Sequence, residues 1–217
     1  MADAVIFDLD GVIVDSEPVW EEVRRAYVAA HGGAWQPDTQ RRLMGMSTGE
    51  WAAYLSGELG VDRTAEQVAA EVVEEMTRRY AARVPLIDGA DDVVRRVAGR
   101  WPLGLASSSP TRLIAAALHA TGLTDAFGAT LSTEETAHGK PAPDVYLAVA
   151  ERLGVDPARC VAVEDSSNGV RSAAAAGMTV VAVPHGSYPL DPDAVKAAAA
   201  VLDSIGDLTP ETVEQLG

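Results

Sequence analysis

The stretch AVIFDLDG, Ala4 to Gly11, decides the fold. Four apolar residues followed by Asp8, Asp10 and Gly11 read as a buried strand leaving its sheet. Residues i and i+2 of an extended segment point the same way, so Asp8 and Asp10 share one side just beyond the strand's carboxyl end. That edge is where open α/β sheets hold ligands. Gly11 permits the tight turn or close approach that follows. Two neighbouring carboxylates repel, so one is protonated or both face a cation. Taken alone, the segment fits an acidic loop or a helix cap equally well.

Working outward, four more runs share this character: Leu103 to Ala106, Ala129 to Leu131, Cys160 to Val163 and Thr179 to Val183. All are nearly continuous rather than alternating, as expected of strands buried on both faces of a parallel sheet. Helical stretches separate them. Pro110 to Thr121 has proline in its first turn, Pro143 to Leu153 stops at Gly154, and Ser167 to Ala176 stops at Gly177. Alanine tracts at Ala173 to Ala176 and Ala197 to Ala200 also read as helix. This alternation predicts a doubly wound, Rossmann-like α/β core.

Residues 15–85 break the rhythm. Ser16 to Ala30 reads as a helix with Ser16 as N-cap, and Thr64 to Arg83 as a long one opened by Thr64. Two shorter helical pieces lie within Gln40 to Gly60. The expectation is a core of residues 1–14 and 86–217, with an all-helical cap of residues 15–85 inserted after the first strand.

Composition limits the function. The chain has 217 residues, 17 basic and 32 acidic, for a formal charge of −15. Such a chain repels a polyphosphate backbone, so no nucleic-acid partner is expected. No apolar run of about 18 residues exists to span a membrane, and the first residues do not read as a signal peptide. A hydrophobic share of 47% with 23% charged residues suits a folded chain rather than a disordered one. Cys160, the single cysteine, permits no internal disulfide, and its place in a predicted strand suggests packing. A cytoplasmic protein is expected, monomeric or weakly dimeric.

Three further segments carry chemistry. Glu164-Asp165-Ser166 again places carboxylates directly after an apolar strand. Helix capping explains the serine there but not two adjacent acids. Four acids at two strand ends suggest a hard, oxygen-liganded cation, and magnesium suits one or two carboxylates completed by phosphate and water. Ser107-Ser108-Ser109-Pro110 can form a phosphate cradle at a helix N-terminus, although an ordinary capped helix has the same look. Gly139-Lys140-Pro141-Ala142-Pro143 pins a lysine between prolines in a chain whose other lysine is Lys196. A cation is what the acids need if a phosphate dianion is to enter.

In this order the four segments resemble the haloacid dehalogenase-like hydrolases, in particular phosphatases and the related β-phosphoglucomutase-like branch with a helical cap. The matching stretches are DLDGVIVDSE at Asp8 to Glu17, SSS at Ser107 to Ser109, GKPAPDVY at Gly139 to Tyr146 and VEDSSNGV at Val163 to Val170. The resemblance implies a nucleophile at Asp8 and a general acid/base at Asp10. Ser107 and the Ser108 backbone would hold the phosphoryl group, and Lys140 would neutralise it. Asp8, the Asp10 carbonyl and Asp165 would hold magnesium, with Glu164 in support.

The resemblance also separates branches. Dehalogenases lack the second aspartate, which is present here as Asp10. Phosphonate-cleaving members use a cap lysine, and residues 15–85 contain none. In the sugar-phosphate mutases a histidine and an arginine stand where this chain has Trp20 and Thr48, which favours hydrolysis. The implied enzyme is a phosphatase of a small phosphomonoester, with a sugar-phosphate mutase as the alternative. Trp20, Met44, Met46 and Trp51 are candidates for the substrate wall or for the cap's own core. Asp15 is expected at the cap hinge; His185 follows a strand and is only a minor candidate for the border of the site, and His119 and His138 lack paired metal-ligand spacing. A receiver-like phospho-aspartate module is disfavoured by the helical insert, and a dead binding module by the intact acids.

Overall fold

The computed structural model describes residues 2–43, 46–184 and 189–217. Met44 and His185 lie outside them. The core is a six-stranded sheet of β1 (Ala4–Phe7), β2 (Leu103–Ser107), β3 (Ala129–Ser132), β4 (Cys160–Glu164), β5 (Thr179–Ala182) and β6 (Ala200–Val201). The order is β3-β2-β1-β4-β5-β6 and every pairing is parallel. From β1 the chain winds outward through β2 and β3, then returns to the other side of β1 with β4. The reversal leaves a crevice at the carboxyl edge beside β1 and β4.

The continuous apolar runs follow from burial on both faces. In β1, Val5 and Phe7 enter one hydrophobic layer, while Ala4 and Ile6 enter the opposite one. The first layer is closed by α5 (Ala90–Ala98) and α6 (Thr111–Thr121), the second by α7 (Asp144–Leu153) and α8 (Ser167–Ala175). Cys160 is buried at the start of β4, and burial pushes its thiol up to about 11, as suits a packing residue.

The alanine tract from 197 to 200 corrects the sequence reading. The helix α9 (Pro192–Ala197) ends where the tract begins, and Ala200 opens the edge strand β6. The N–H of Ala199 donates to the carbonyl of Val180 at 2.8 Å, so ladder pairing overrides helix propensity here. Strand β5 also stops at Ala182, one residue earlier than expected.

Residues 15–85 hold α1 (Glu17–Ala30), α2 (Thr39–Leu43), α3 (Thr48–Gly57) and α4 (Ala65–Ala82), with no strand of the sheet among the described residues. Thr64 caps α4 through a reciprocal bond pair with Gln67, and Ser47 does the same for α3 with Glu50. Ser16 makes no side-chain cap on α1. The two chain crossings run side by side. Asp15 N–H donates to the Pro85 carbonyl at 2.8 Å, and Ile87 N–H to the Ile13 carbonyl at 3.0 Å. Helix α4 also packs along α6 of the sheet-bearing part.

Candidate active site

The parallel register fixes the floor of the site. Phe7 lies opposite both Leu105 and Val163, so the residues that follow leave the sheet at one level. Asp8 N–H donates to the Val163 carbonyl at 2.9 Å, which prolongs β1 just far enough to set its side chain at the edge. Asp8, Glu164 and Asp165 converge there, each offering a carboxylate oxygen within 4.8 Å of the others. Gly11 has φ of +75°, and a Cβ there would overlap the Asp165 carboxylate, so glycine meets both demands of the turn. At Gly169 only the close approach matters: the Glu164 carboxylate lies where a side chain would begin.

Lys140 crosses this acidic floor. Its Nζ lies 2.6 Å from Glu164 Oε1 and 3.0 Å from Asp8 Oδ1, and donates to the Ala106 carbonyl at 3.0 Å. Burial works against its charge, but Asp8 and Glu164 outweigh that, and its pKa is raised. The contact with Asp8 is an ion pair without hydrogen-bond alignment, and Asp8 Oδ1 has no hydrogen-bond donor.

Glu164 is fully buried and its oxygens are already engaged. Oε1 accepts from Lys140 and from the Tyr146 hydroxyl at 2.8 Å. Oε2 accepts from the N–H groups of Asp165 and Ser166 and from the Ser166 hydroxyl. It therefore orders Lys140 and the Asp165 turn directly. Tyr146 closes the GKPAPDVY segment, a position whose role the sequence did not reveal. The Ser172 hydroxyl ties the same segment down through the Ala142 carbonyl at 2.5 Å.

Asp10 sits beside the serines. Its Oδ2 accepts from Ser107 Oγ at 3.2 Å and Ser109 Oγ at 2.7 Å, while its buried Oδ1 has no partner. Ser107 is fully buried and turned toward Asp10, and also accepts from the Ser109 N–H at 3.0 Å. Ser108 lines the cleft. Ser109, absent from the sequence-based set, holds Asp10 most closely, and the serine run was the signal for it. Ser132 fixes this loop by donating to the Ser109 carbonyl at 2.7 Å.

These charges are crowded. Burial, opposed by Lys140 and aided by Glu164 and Asp10, pushes the Asp8 carboxyl up to about 8. Burial and the same acidic neighbours raise Asp165 well above the carboxylate range. A pocket with clustered carboxylates, two undonated buried carboxylate oxygens and one lysine fits a hard divalent cation with oxygen ligands.

Residues of α1 and α3 supply the roof. Glu17, Trp20, Met46, Thr48 and Trp51 face the same cleft as Asp8, Asp10, Lys140 and Asp165. Trp20 is thus both wall and cap core: it is buried, and its ring lies 5.8 Å from that of Trp51. Arg24 joins them from α1 and was not among the residues singled out from sequence. His138 contacts Asp144 instead of the cleft, and Lys196 is exposed on α9.

A family model for haloacid dehalogenase-like hydrolases matches residues 2–177. The chain belongs to this family. Among its relatives, hexitol phosphatase B of Escherichia coli K12 is 36% identical, covering 95% of this chain and 94% of that one. The phosphorylated carbohydrates phosphatase of Thermotoga maritima is 34% identical over 81% of this chain and 82% of its own. The crystal structure of CbbY from Rhodobacter sphaeroides in complex with phosphate has the same fold, with a TM-score of 0.87 at 24% identity over 99% of this chain and all of that one. The expectation of a haloacid dehalogenase-like phosphoric monoester hydrolase stands on this membership and on these phosphatase relatives. Among the described residues, no helix is long and apolar enough to cross a membrane.

Proposed function

We propose that the protein is a magnesium-dependent phosphatase of sugar or polyol phosphates, working through an aspartyl-phosphate. The observation that carries this is the meeting of Asp8, Asp10, Lys140 and Asp165 at one cleft beneath the cap. The names of the relatives, acting on hexitol phosphates and phosphorylated carbohydrates, support the substrate class. Residues 15–85 would act as a cap domain on a core of 1–14 and 86–217. A monomer or weak homodimer in the cytoplasm is the working state.

Asp8, Asp165 and the Asp10 backbone carbonyl would hold magnesium, with Glu164 fixing their surroundings through its own hydrogen bonds. Magnesium would supply positive charge that keeps these carboxylates ionised and screens the incoming phosphate dianion. The Asp8 carboxylate attacks phosphorus, forming an O–P bond as the bond to the leaving oxygen breaks. Asp10, steered by Ser107 and Ser109, donates its proton to that oxygen. It then takes a proton from the water that attacks phosphorus and frees Asp8. Lys140 holds charge of the opposite sign beside Asp8 throughout. The cap limits the water that reaches the intermediate.

The test is phosphate release from a panel of small phosphomonoesters with and without magnesium. Asp8→Asn is expected to lower kcat by about 10⁴-fold or more while the circular dichroism spectrum stays native. Undiminished turnover in that variant would refute the assignment. The mutase alternative draws on a 30% identical structure described as a β-phosphoglucomutase from Thermotoga maritima, with a TM-score of 0.77. Conversion of β-glucose 1-phosphate in the presence of glucose 1,6-bisphosphate tests it.

A further inference from the structure

Arg24 is a buried cation with one hydrogen-bond donor, Nε, unmet. It is only 5% exposed, and its Nε has no partner. Its guanidinium packs against two aromatic rings: Cζ lies 4.4 Å from the Trp20 ring centroid and 4.9 Å from that of Trp51. The carboxylates of Glu17 and Asp10 act on its charge without satisfying Nε. Burying the Nε–H donor of a guanidinium unanswered is unfavourable. Burial lowers its pKa to about 10, so it remains charged at neutral pH. Such a group persists in a cleft wall when a ligand completes its bonds.

Helix geometry shows what that ligand meets. Glu17, Trp20 and Arg24 are spaced i, i+3 and i+7, and share the face of α1 turned to the cleft. The two indoles hold the guanidinium plane by cation–π contact. Glu17 accepts from Gln40 Nε2 at 2.6 Å, and its carboxyl is partly buried. The roof therefore offers one charged donor and one charged acceptor whose charges cancel. A second anion on the leaving group would compete with Glu17 for Arg24 and be repelled by Glu17. A neutral run of hydroxyls suits both, because each hydroxyl accepts from Arg24 and donates to Glu17.

We propose that Arg24, with Glu17, is the specificity determinant that reads vicinal hydroxyls on an uncharged polyhydroxy leaving group. This rests on the phosphatase reading above, since the leaving group is that of the phosphomonoester. Arg24 acts on selection between substrates, not on the chemical step.

The experiment compares glucitol 6-phosphate, phenyl phosphate and 6-phosphogluconate with the wild type, Arg24→Met and Arg24→Lys. Arg24→Met is expected to lower the ratio of kcat/KM for glucitol 6-phosphate to that for phenyl phosphate by about 100-fold. Arg24→Lys, which keeps the charge but loses the planar fork, is expected to fall between. Because the cation is buried with its Nε unanswered in the absence of a ligand, the Tm of Arg24→Met without substrate should equal or exceed that of the wild type. A lower Tm with an equal fractional loss on both substrates would show a merely structural arginine and overturn the proposal. So would an unchanged ratio, or a tenfold wild-type preference for 6-phosphogluconate over glucitol 6-phosphate. Calorimetric binding of glucitol 6-phosphate to Asp8→Asn, with and without Arg24→Met, needs no turnover. A wild type without phosphatase activity sinks the phosphatase reading, whereas equal affinities in that calorimetry sink the role of Arg24.

Discussion

The floor and the roof of the cleft handle buried charge in opposite ways. On the floor, Lys140 touches Glu164, Asp8 and a backbone carbonyl, and both oxygens of Glu164 accept hydrogen bonds. On the roof, Arg24 has two indole faces and an Nε with no hydrogen-bond partner. The floor is ordered before a ligand arrives, as a site that stabilises developing charge must be. The roof leaves bonds to be made, as a surface that chooses among leaving groups must.

Removing the floor's cation should give the largest change. Lys140→Met leaves Asp8, Glu164 and Asp165 facing one another without a counter-charge. A loss of about 3–5 kcal/mol is expected, because breaking a buried pair strands the remaining charges. A fall in kcat of about 10²–10³-fold should accompany it. Urea unfolding and initial rates check this. A Lys140→Met protein as stable as the wild type would erase the contrast with Arg24→Met.

The next effect is pH dependence without magnesium. The raised pKa of Asp8 means the folded state holds a proton that the unfolded chain gives up near pH 4. Folded protein then binds more protons between about pH 4 and about 8, so stability falls as pH rises through that window. The slope from one such group is at most about 1.4 kcal/mol per pH unit. Thermal melts in chelator from pH 5 to 8 should show it, and Asp8→Asn should remove the part that Asp8 contributes. A metal-free wild type whose Tm rises across this range would contradict the crowded floor.

Much of the floor was legible in the sequence because each part is local. Asp8, Asp10, Glu164 and Asp165 follow apolar strands directly, and strand ends of a parallel sheet share one edge. The serine run and the proline-flanked Lys140 needed only to be set beside them. Tyr146 was harder: it is two residues into α7, and its hydroxyl meets Glu164 only through tertiary packing. Arg24 was invisible for a related reason. In a chain with fifteen arginines, one more on a polar-looking helix reads as a solvated side chain. Its burial depends on Trp51, contributed by α3. The strand at Ala200 was hidden by the helix propensity of alanine, which pairing with β5 outweighs.

Tyr146→Phe sharpens the view of the floor at smaller cost. It deletes one donor to Glu164 Oε1 and leaves Lys140 in place. A loss of about 1–2 kcal/mol is expected, as for a hydrogen bond to a charged group, with a modest fall in kcat. If kcat falls as far as in Lys140→Met, then the orientation of Glu164, and not the lysine charge, dominates the floor.

Thr64→Ala should have the smallest effect and isolates the roof's function from its stability. Thr64 accepts from the Gln67 N–H at 3.3 Å, and Gln67 returns a bond to the Thr64 N–H at 3.0 Å. Alanine removes the first bond and loosens the second, which costs about 1 kcal/mol. Neither residue faces the cleft floor, Trp20 or Arg24. The Tm should therefore drop by a few degrees, with the preference between glucitol 6-phosphate and phenyl phosphate retained. A shift in that preference would mean that substrate choice follows the overall firmness of the cap. Retention, set beside the expected loss in Arg24→Met, would place the choice in one guanidinium, because the variant that weakens the cap would select normally while the variant that does not would fail to.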